Sequence, residues 1–139
     1  MSKFESSIKH IPYPQTAVYA TLSDLSNIEK VRDRLPADKI KDLQFDSDSV
    51  SISAPMGSVT LRIIEREEPK CIKFATENSP IAANLWIQIL PEGDAVCKMR
   101  LTIKADLNPF IKGMVAKPLQ EGIEKIADVL AIIPYGQGI

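Results

Sequence analysis

The chain has one histidine, two cysteines, one tryptophan and no apolar run near the ~20 residues needed to cross a bilayer. Each scarcity excludes something. With His10 as the sole imidazole, a zinc centre would have to combine it with distant carboxylates, so no metal site is expected. Cys71 and Cys97 stand outside any CxxC spacing, and reduced structural thiols are expected rather than a bridge or a metal cluster. Charge of one sign is also missing. Seventeen Lys and Arg against 18 Asp and Glu give a formal net charge of -1, with basic residues scattered among acidic ones. A nucleic-acid reader shows a basic stripe instead, so no nucleic-acid partner and no stable membrane insertion are expected. The first residues alternate like a strand and lack the apolar centre of a signal peptide, which makes a cytoplasmic location the expectation.

What is present is globular. Hydrophobic residues make up 45% and charged residues 25% of 139 positions, which argues against disorder. That length suits a single domain, 1–139, with a core that needs no disulfide, metal or cofactor. Residues 3–11 alternate as a strand, placing Phe4, Ser6, Ile8 and His10 on one face. Proline cannot donate to a ladder, so Pro12-Tyr13-Pro14 ends that strand. Pro14 suits the first turn of a helix carrying Ala17, Val18, Leu22 and Leu25. A second short helix is expected over 26–35, with Ile28, Val31 and Leu35 inward, ended by Pro36.

Six hairpin-linked strands are expected over 39–107. Their turns predict registers: Phe45 opposite Val50, Leu43 opposite Ile52, Ile63 opposite Phe74 and Leu61 opposite Thr76. Around Glu92-Gly93-Asp94, Ile89 is expected opposite Cys97, Ile87 opposite Met99 and Leu85 opposite Leu101. The same register sets Trp86 opposite Arg100, as a surface cation-π pair, the alternative being a local bulge that turns the ring inward to stack on a ligand. It also turns Lys98, Arg100, Thr102 and Lys104 to solvent.

One long helix closes the chain, from Pro109 to about Ile133, with Asn108 as its cap. Pro118 is expected to kink or break it near Ala116-Lys117, and Gly113 and Gly122 weaken it. An antiparallel sheet with one face to cover, and a single long helix to cover it, leaves space beside that helix. Such a space is a pocket. The expected fold class is therefore α+β: a curved seven-stranded antiparallel sheet, two short helices after the first strand, and a long C-terminal helix over the concave face.

The order strand, two short helices, six strands, long helix resembles the helix-grip fold of the START-like, or SRPBCC, superfamily. The stretch Ile11-Pro12-Tyr13-Pro14-Gln15-Thr16-Ala17-Val18-Tyr19 looks like that family's strand-to-helix entry. Leu22-Ser23-Asp24-Leu25-Ser26-Asn27 looks like its link between short helices, and Leu107-Asn108-Pro109-Phe110 like the entry to its last helix. The resemblance covers essentially the whole chain and speaks for fold more than for function. It implies a hydrophobic small molecule or lipid as partner, bound between sheet and terminal helix. It also implies that loop residues such as Pro55, Met56, Pro80 and Ile81 border the mouth.

The candidate lining is Phe45, Ile52, Leu61, Phe74, Leu85, Ile87, Met99 and Leu101 from the sheet, with Phe110, Met114 and Ile123 from the helix. Ser6, His10 and Thr76 are the polar groups that alternation places inward. Two other readings stand beside the binder. One is a polyketide cyclase-like enzyme that moves protons through His10, although the sequence shows no catalytic constellation. The other is a protein-interaction module of the same fold, which an exposed apolar patch would favour. Oligomeric state and ligand identity are left open by the sequence.

Overall fold

A computed structural model of the chain describes residues 2–27, 43–54, 57–77, 82–133 and 135. The side chains of 43, 45, 52–54, 57–59, 115 and 118 are not part of that description. Eight strand segments form one antiparallel sheet: β1 (Ser2–Glu5), β2 (Lys9–Ile11), β3 (Leu43–Phe45), β4 (Ser49–Ala54), β5 (Gly57–Glu67), β6 (Cys71–Glu77), β7 (Ala83–Pro91) and β8 (Cys97–Ala105). Their order is β1-β8-β7-β6-β5-β4-β3, and β2 also pairs with β8. Because β1 and β2 share one edge, the eight segments occupy the seven expected positions. Helix α1 (Gln15–Leu22) follows β2, and helix α2 (Pro109–Ala131) follows β8.

The interruption between β1 and β2 changes the reading of the first strand. Phe4 pairs with Ile103 and Glu5 with Thr102, but Lys9 pairs with Met99 and His10 with Lys98. One extra residue has entered the edge strand, a bulge, and every side chain after it changes face. Phe4 and Ile11 are therefore both buried, whereas Ile8 and His10 turn outward. The expected inward set of Phe4, Ser6, Ile8 and His10 is corrected to Phe4, Ser6, Lys9 and Ile11. Ser6 fastens the bulge: its N–H donates to the Leu101 carbonyl at 2.9 Å, and its Oγ accepts from the Leu101 N–H at 3.0 Å.

The hairpins β3–β4 and β5–β6 have the expected registers, with Phe45 opposite Val50, Leu43 opposite Ile52, Ile63 opposite Phe74 and Leu61 opposite Thr76. Asp46 makes the first of these turns, accepting from the Asp48 and Ser49 N–H groups at 2.9 Å. A bulge at Ile64 shifts the β5–β6 pairing so that Glu67 meets Cys71 at the hairpin end.

The third hairpin departs from expectation. Ile89 pairs with Met99, Ile87 with Leu101 and Leu85 with Ile103, each two residues from the predicted partner. The loop is a five-residue one, 92–96, closed by the Glu92 N–H on the Val96 carbonyl, and not a tight turn centred on Gly93. A shift of two preserves the face, so the apolar set still points inward. Trp86 consequently lies opposite Thr102, between Lys73 and Lys104, whose Nζ atoms sit 5.3 and 5.6 Å from its ring centre. Thr102, expected in solvent, is buried there and donates to Gln88 Oε1 at 3.2 Å.

Among the described residues, two helices cover the inner face. Val18, Tyr19 and Leu22 of α1 enter the core, and Gln15 Nε2 donates to the Ile89 carbonyl at 2.8 Å. Pro14 is the extended N-cap residue of α1 rather than part of its first turn. Of the expected second short helix, all beyond Asn27 lies outside the described residues, as do Pro55, Met56, Pro80 and Ile81. Helix α2 packs on β1, β2 and β8 through Ile123, Ile126, Ala127 and Leu130. Asn108 caps it, its Oδ1 accepting from the Ile111 N–H at 2.8 Å. The helix continues without a break through position 118. Past its end, buried Tyr135 donates to the Leu130 carbonyl at 2.6 Å and meets Tyr13 edge-to-face at 6.1 Å.

Candidate functional site

The inner face is built as cross-strand rows. Phe4, Ile103, Leu85, Phe74 and Ile63 form one row across five strands. Leu101, Ile87 and Ile72 form the next, and Met99 with Ile89 the one after. All ten side chains are buried. Toward the other end of the strands the residues become small. Ala105 pairs with Ala83, whose N–H donates to Thr76 Oγ1 at 3.1 Å, and Thr76 pairs with Leu61. Helix α2 begins just beyond Ala105, so the narrow side chains lie at the end where the helix enters. The inner face is thus packed with large aliphatics along most of its length and carries the smaller Thr76, Ala83 and Ala105 at the end where α2 enters.

Along β6, β7 and β8 the inward residues include no carboxylate, imidazole or amine. Cys97 is the one titratable group there, and burial raises its pKa above the ordinary thiol value, keeping it protonated. Cys71, on the outer face, is shifted the same way by burial and by the nearby Glu67 and Glu65 carboxylates. Both thiols are free. Among the described residues no group of three His, Cys, Asp or Glu side chains is arranged to hold a metal.

The predicted lining divides into groups. Leu61, Phe74, Leu85, Ile87, Met99 and Leu101 of the sheet come together on the inner face, and Ile123 of α2 is buried against the core. Thr76 is half-buried at the small end. Phe45 and Ile52 occupy their ladder positions, while their side chains lie outside the description.

Four candidates are placed elsewhere. Ser6 is buried, but its hydroxyl is taken by Leu101 and by donation to the Ser7 carbonyl at 2.9 Å. His10 is on the outer face, its side chain 72% exposed and its Nδ1 2.6 Å from Glu92 Oε1. Phe110 and Met114 are 79% and 65% exposed. The reason lies in lengths. Gln120 Nε2 bonds the Glu5 carbonyl at 2.7 Å, which fixes α2 level with Thr102, the partner of Glu5. From there Phe110 is about 15 Å back along the helix, whereas β8 extends only about 10 Å to Ala105. The first turns of α2 therefore project past the end of the strand.

Sequence reasoning missed the residues that attach α2 to the edge strand. Glu124 accepts from the Ser7 N–H at 2.8 Å and from Ser7 Oγ at 2.6 Å, and it pairs with Lys9. The spacing of Gln120, Glu124 and Asp128, one turn apart beside apolar Ile123 and Ala127, was the available signal.

No protein-family model matches the sequence, and no curated protein matches it. Solved structures do match in shape. Norcoclaurine synthase from Thalictrum flavum, in complex with dopamine and hydroxybenzaldehyde, superposes with a TM-score of 0.71 at 10% identity, over 99% of this chain and 88% of that one. A protein from Thermus thermophilus gives 0.66 at 18% identity, over 94% of each chain. A START superfamily protein from Mycobacterium smegmatis gives 0.58 at 10% identity, over 93% of this chain and 94% of that one. The chain has a START-like helix-grip fold. Among the described residues no helix is long and apolar enough to cross a membrane.

Proposed function

We propose that residues 1–139 form one helix-grip domain that binds a hydrophobic or amphipathic small molecule or lipid between the sheet and α2. The observation that supports this most is the graded inner face: large aliphatics give way to Thr76, Ala83 and Ala105 where α2 enters. An apolar body would rest against Leu61, Phe74 and Leu85, with the Thr76 side chain as the polar group nearest the mouth. Burial of apolar surface at about 25 cal/mol per Å2 supplies the affinity. The norcoclaurine synthase structure carries two aromatic molecules in its complex, and this fold similarity is in keeping with a small-molecule site.

The face offers a ligand shape and desolvation rather than proton transfer. A cyclase-like reaction through His10 finds no support in the geometry, because His10 faces the other side of the sheet beside Glu92.

Native mass spectrometry of protein from its natural host tests the proposal. A bound apolar molecule should be carried through purification, and Ala83→Phe, which fills the small end, should remove it. Protein that is empty from its host, and that does not enhance the fluorescence of 8-anilinonaphthalene-1-sulfonate, would overturn the reading.

A further inference from the structure

The outer face carries a second feature that the inner site does not use. The bulge between β1 and β2 throws Ile8 outward, and the long 92–96 loop leaves Leu90 near the end of its hairpin; each is 50% exposed. The two flank an open groove of about 550 Å3. Register explains how they meet. Lys98 pairs with both His10 and Leu90, and Arg100, opposite Gln88 further along β8, lines the groove together with Ile8. The lining therefore alternates aliphatic and cationic groups, with Lys70 entering from the β5–β6 turn beside Ile89, whose N–H donates to the Lys70 carbonyl.

Charge decides what fits. Three cations line the groove against one carboxylate, Glu67, on a chain whose formal net charge is -1. Arg100 is held by Glu5 at 3.3 Å, but among the described residues neither Lys70 nor Lys98 has an ion-pair partner. A lysine whose stem lies along exposed aliphatic surface with an unpaired head favours an anionic partner that also brings an apolar group.

We infer that the Ile8–Leu90 groove on the outer face docks an acidic segment of another protein, with one large aliphatic or aromatic side chain seated between Ile8 and Leu90 and carboxylates on Lys98 and Lys70. The groove's charges make binding weaken with salt. This site is separate from the inner face and stands whether or not that face binds a ligand.

A random-peptide display selection on the folded chain tests it. Selected peptides should carry Asp or Glu flanking a Leu, Ile or Phe. A synthetic peptide of that consensus should lose at least about tenfold in affinity to Lys98→Glu, and equally to Leu90→Ser. Both residues are at the surface, and a wild-type NMR spectrum away from the groove confirms that each variant is folded; Ile8→Ser is the further check from the opposite wall. Peptides without the acidic and apolar pattern, or peptides that bind the variants as well as the parent, overturn the inference. Sedimentation with phosphatidylglycerol-containing vesicles that Lys98→Glu abolishes, in the absence of any selected peptide, would assign the groove to a lipid surface and overturn it as well.

Discussion

Lys9 Nζ lies 2.5 Å from Glu124 Oε2 and 2.7 Å from Asp128 Oδ1, a strand lysine held between two carboxylates one helical turn apart. The bulge is what makes this contact: without the extra residue Lys9 would face solvent and His10 would face α2. An edge strand and a helix more than a hundred residues later are thereby fixed by charge as well as by the apolar contacts of Ile11 and Ile123.

Glu124→Gln should destabilise the fold by about 1–2 kcal/mol at neutral pH, after allowing for solvent screening of a carboxylate one-third exposed. The Lys9 and Ser7 hydrogen bonds hold the Glu124 pKa down to about 2. A depressed carboxylate pKa contributes stability above the unfolded value near 4.5, and that stability is lost as pH falls toward about 2. Lys9, raised mainly by its bond to Asp128, contributes below its unfolded value of 10.5 and loses this contribution as pH rises past it. Urea titrations of parent and variant at pH 7 and pH 3 should show a gap that narrows at the lower pH. A gap independent of pH would mean the pair does not titrate as the geometry requires.

Ser6→Ala should cost about 1–3 kcal/mol, because it strips the acceptor from the buried Leu101 N–H. The urea midpoint should fall while the slope of the transition stays the same. If Ser6→Ala is as stable as the parent, the bulge does not depend on this hydroxyl.

The misread parts of the sequence share a cause. Alternation marked Leu85, Ile87, Met99 and Leu101 as inward because the period of two survives any even register shift, so a loop two residues longer than expected moved their partners and not their face. An odd insertion has no such protection. Residues Ser6, Ser7 and Ile8 contain no glycine or proline to mark a bulge, and alternation carried through them put His10 on the wrong side. The exposure of Phe110 and Met114 was hidden for another reason: a hydrophobic stripe gives the angle of a face around a helix, and it is silent on where the underlying sheet ends.

His10→Ala should leave retention of an apolar ligand within about tenfold, or ~1.4 kcal/mol, since the imidazole lies across the sheet from the inner face. Displacement of bound 8-anilinonaphthalene-1-sulfonate measures this directly. A large loss would require His10 to reach the inner face, against the register of β2.

Gly93 has φ +150°, a conformation that side chains rarely adopt, while a Cβ built there would meet only Val96 Cγ2 at 3.8 Å. Gly93→Ala should therefore cost about 1–3 kcal/mol through the backbone alone. Thermal unfolding reads this cost. A neutral result would mean that the 92–96 loop relaxes to another conformation, and NMR shifts of Glu92 and Val96 should then change.

The two halves of α2 should differ in how readily they open. The second half is anchored: Ile123, Ile126, Ala127, Val129 and Leu130 are all buried, and Lys9 and Ser7 bind Glu124. The first half has Phe110 and Met114 in solvent, and beyond the helix's own backbone and the adjoining residues nothing lies within 4 Å of where a Cβ on Gly113 would stand. Pro118 has no N–H, so the Met114 carbonyl lacks its helical donor. Few buried contacts and a missing backbone bond set a low free energy for local opening. Amides of 110–117 should exchange with deuterium faster than those of 123–130, by an order of magnitude or more. Because the small end of the inner face lies where α2 enters, an occupied site should slow 110–117 and leave 123–130 unchanged. Uniform protection along the helix, indifferent to 8-anilinonaphthalene-1-sulfonate, would place the entrance to the inner face away from α2.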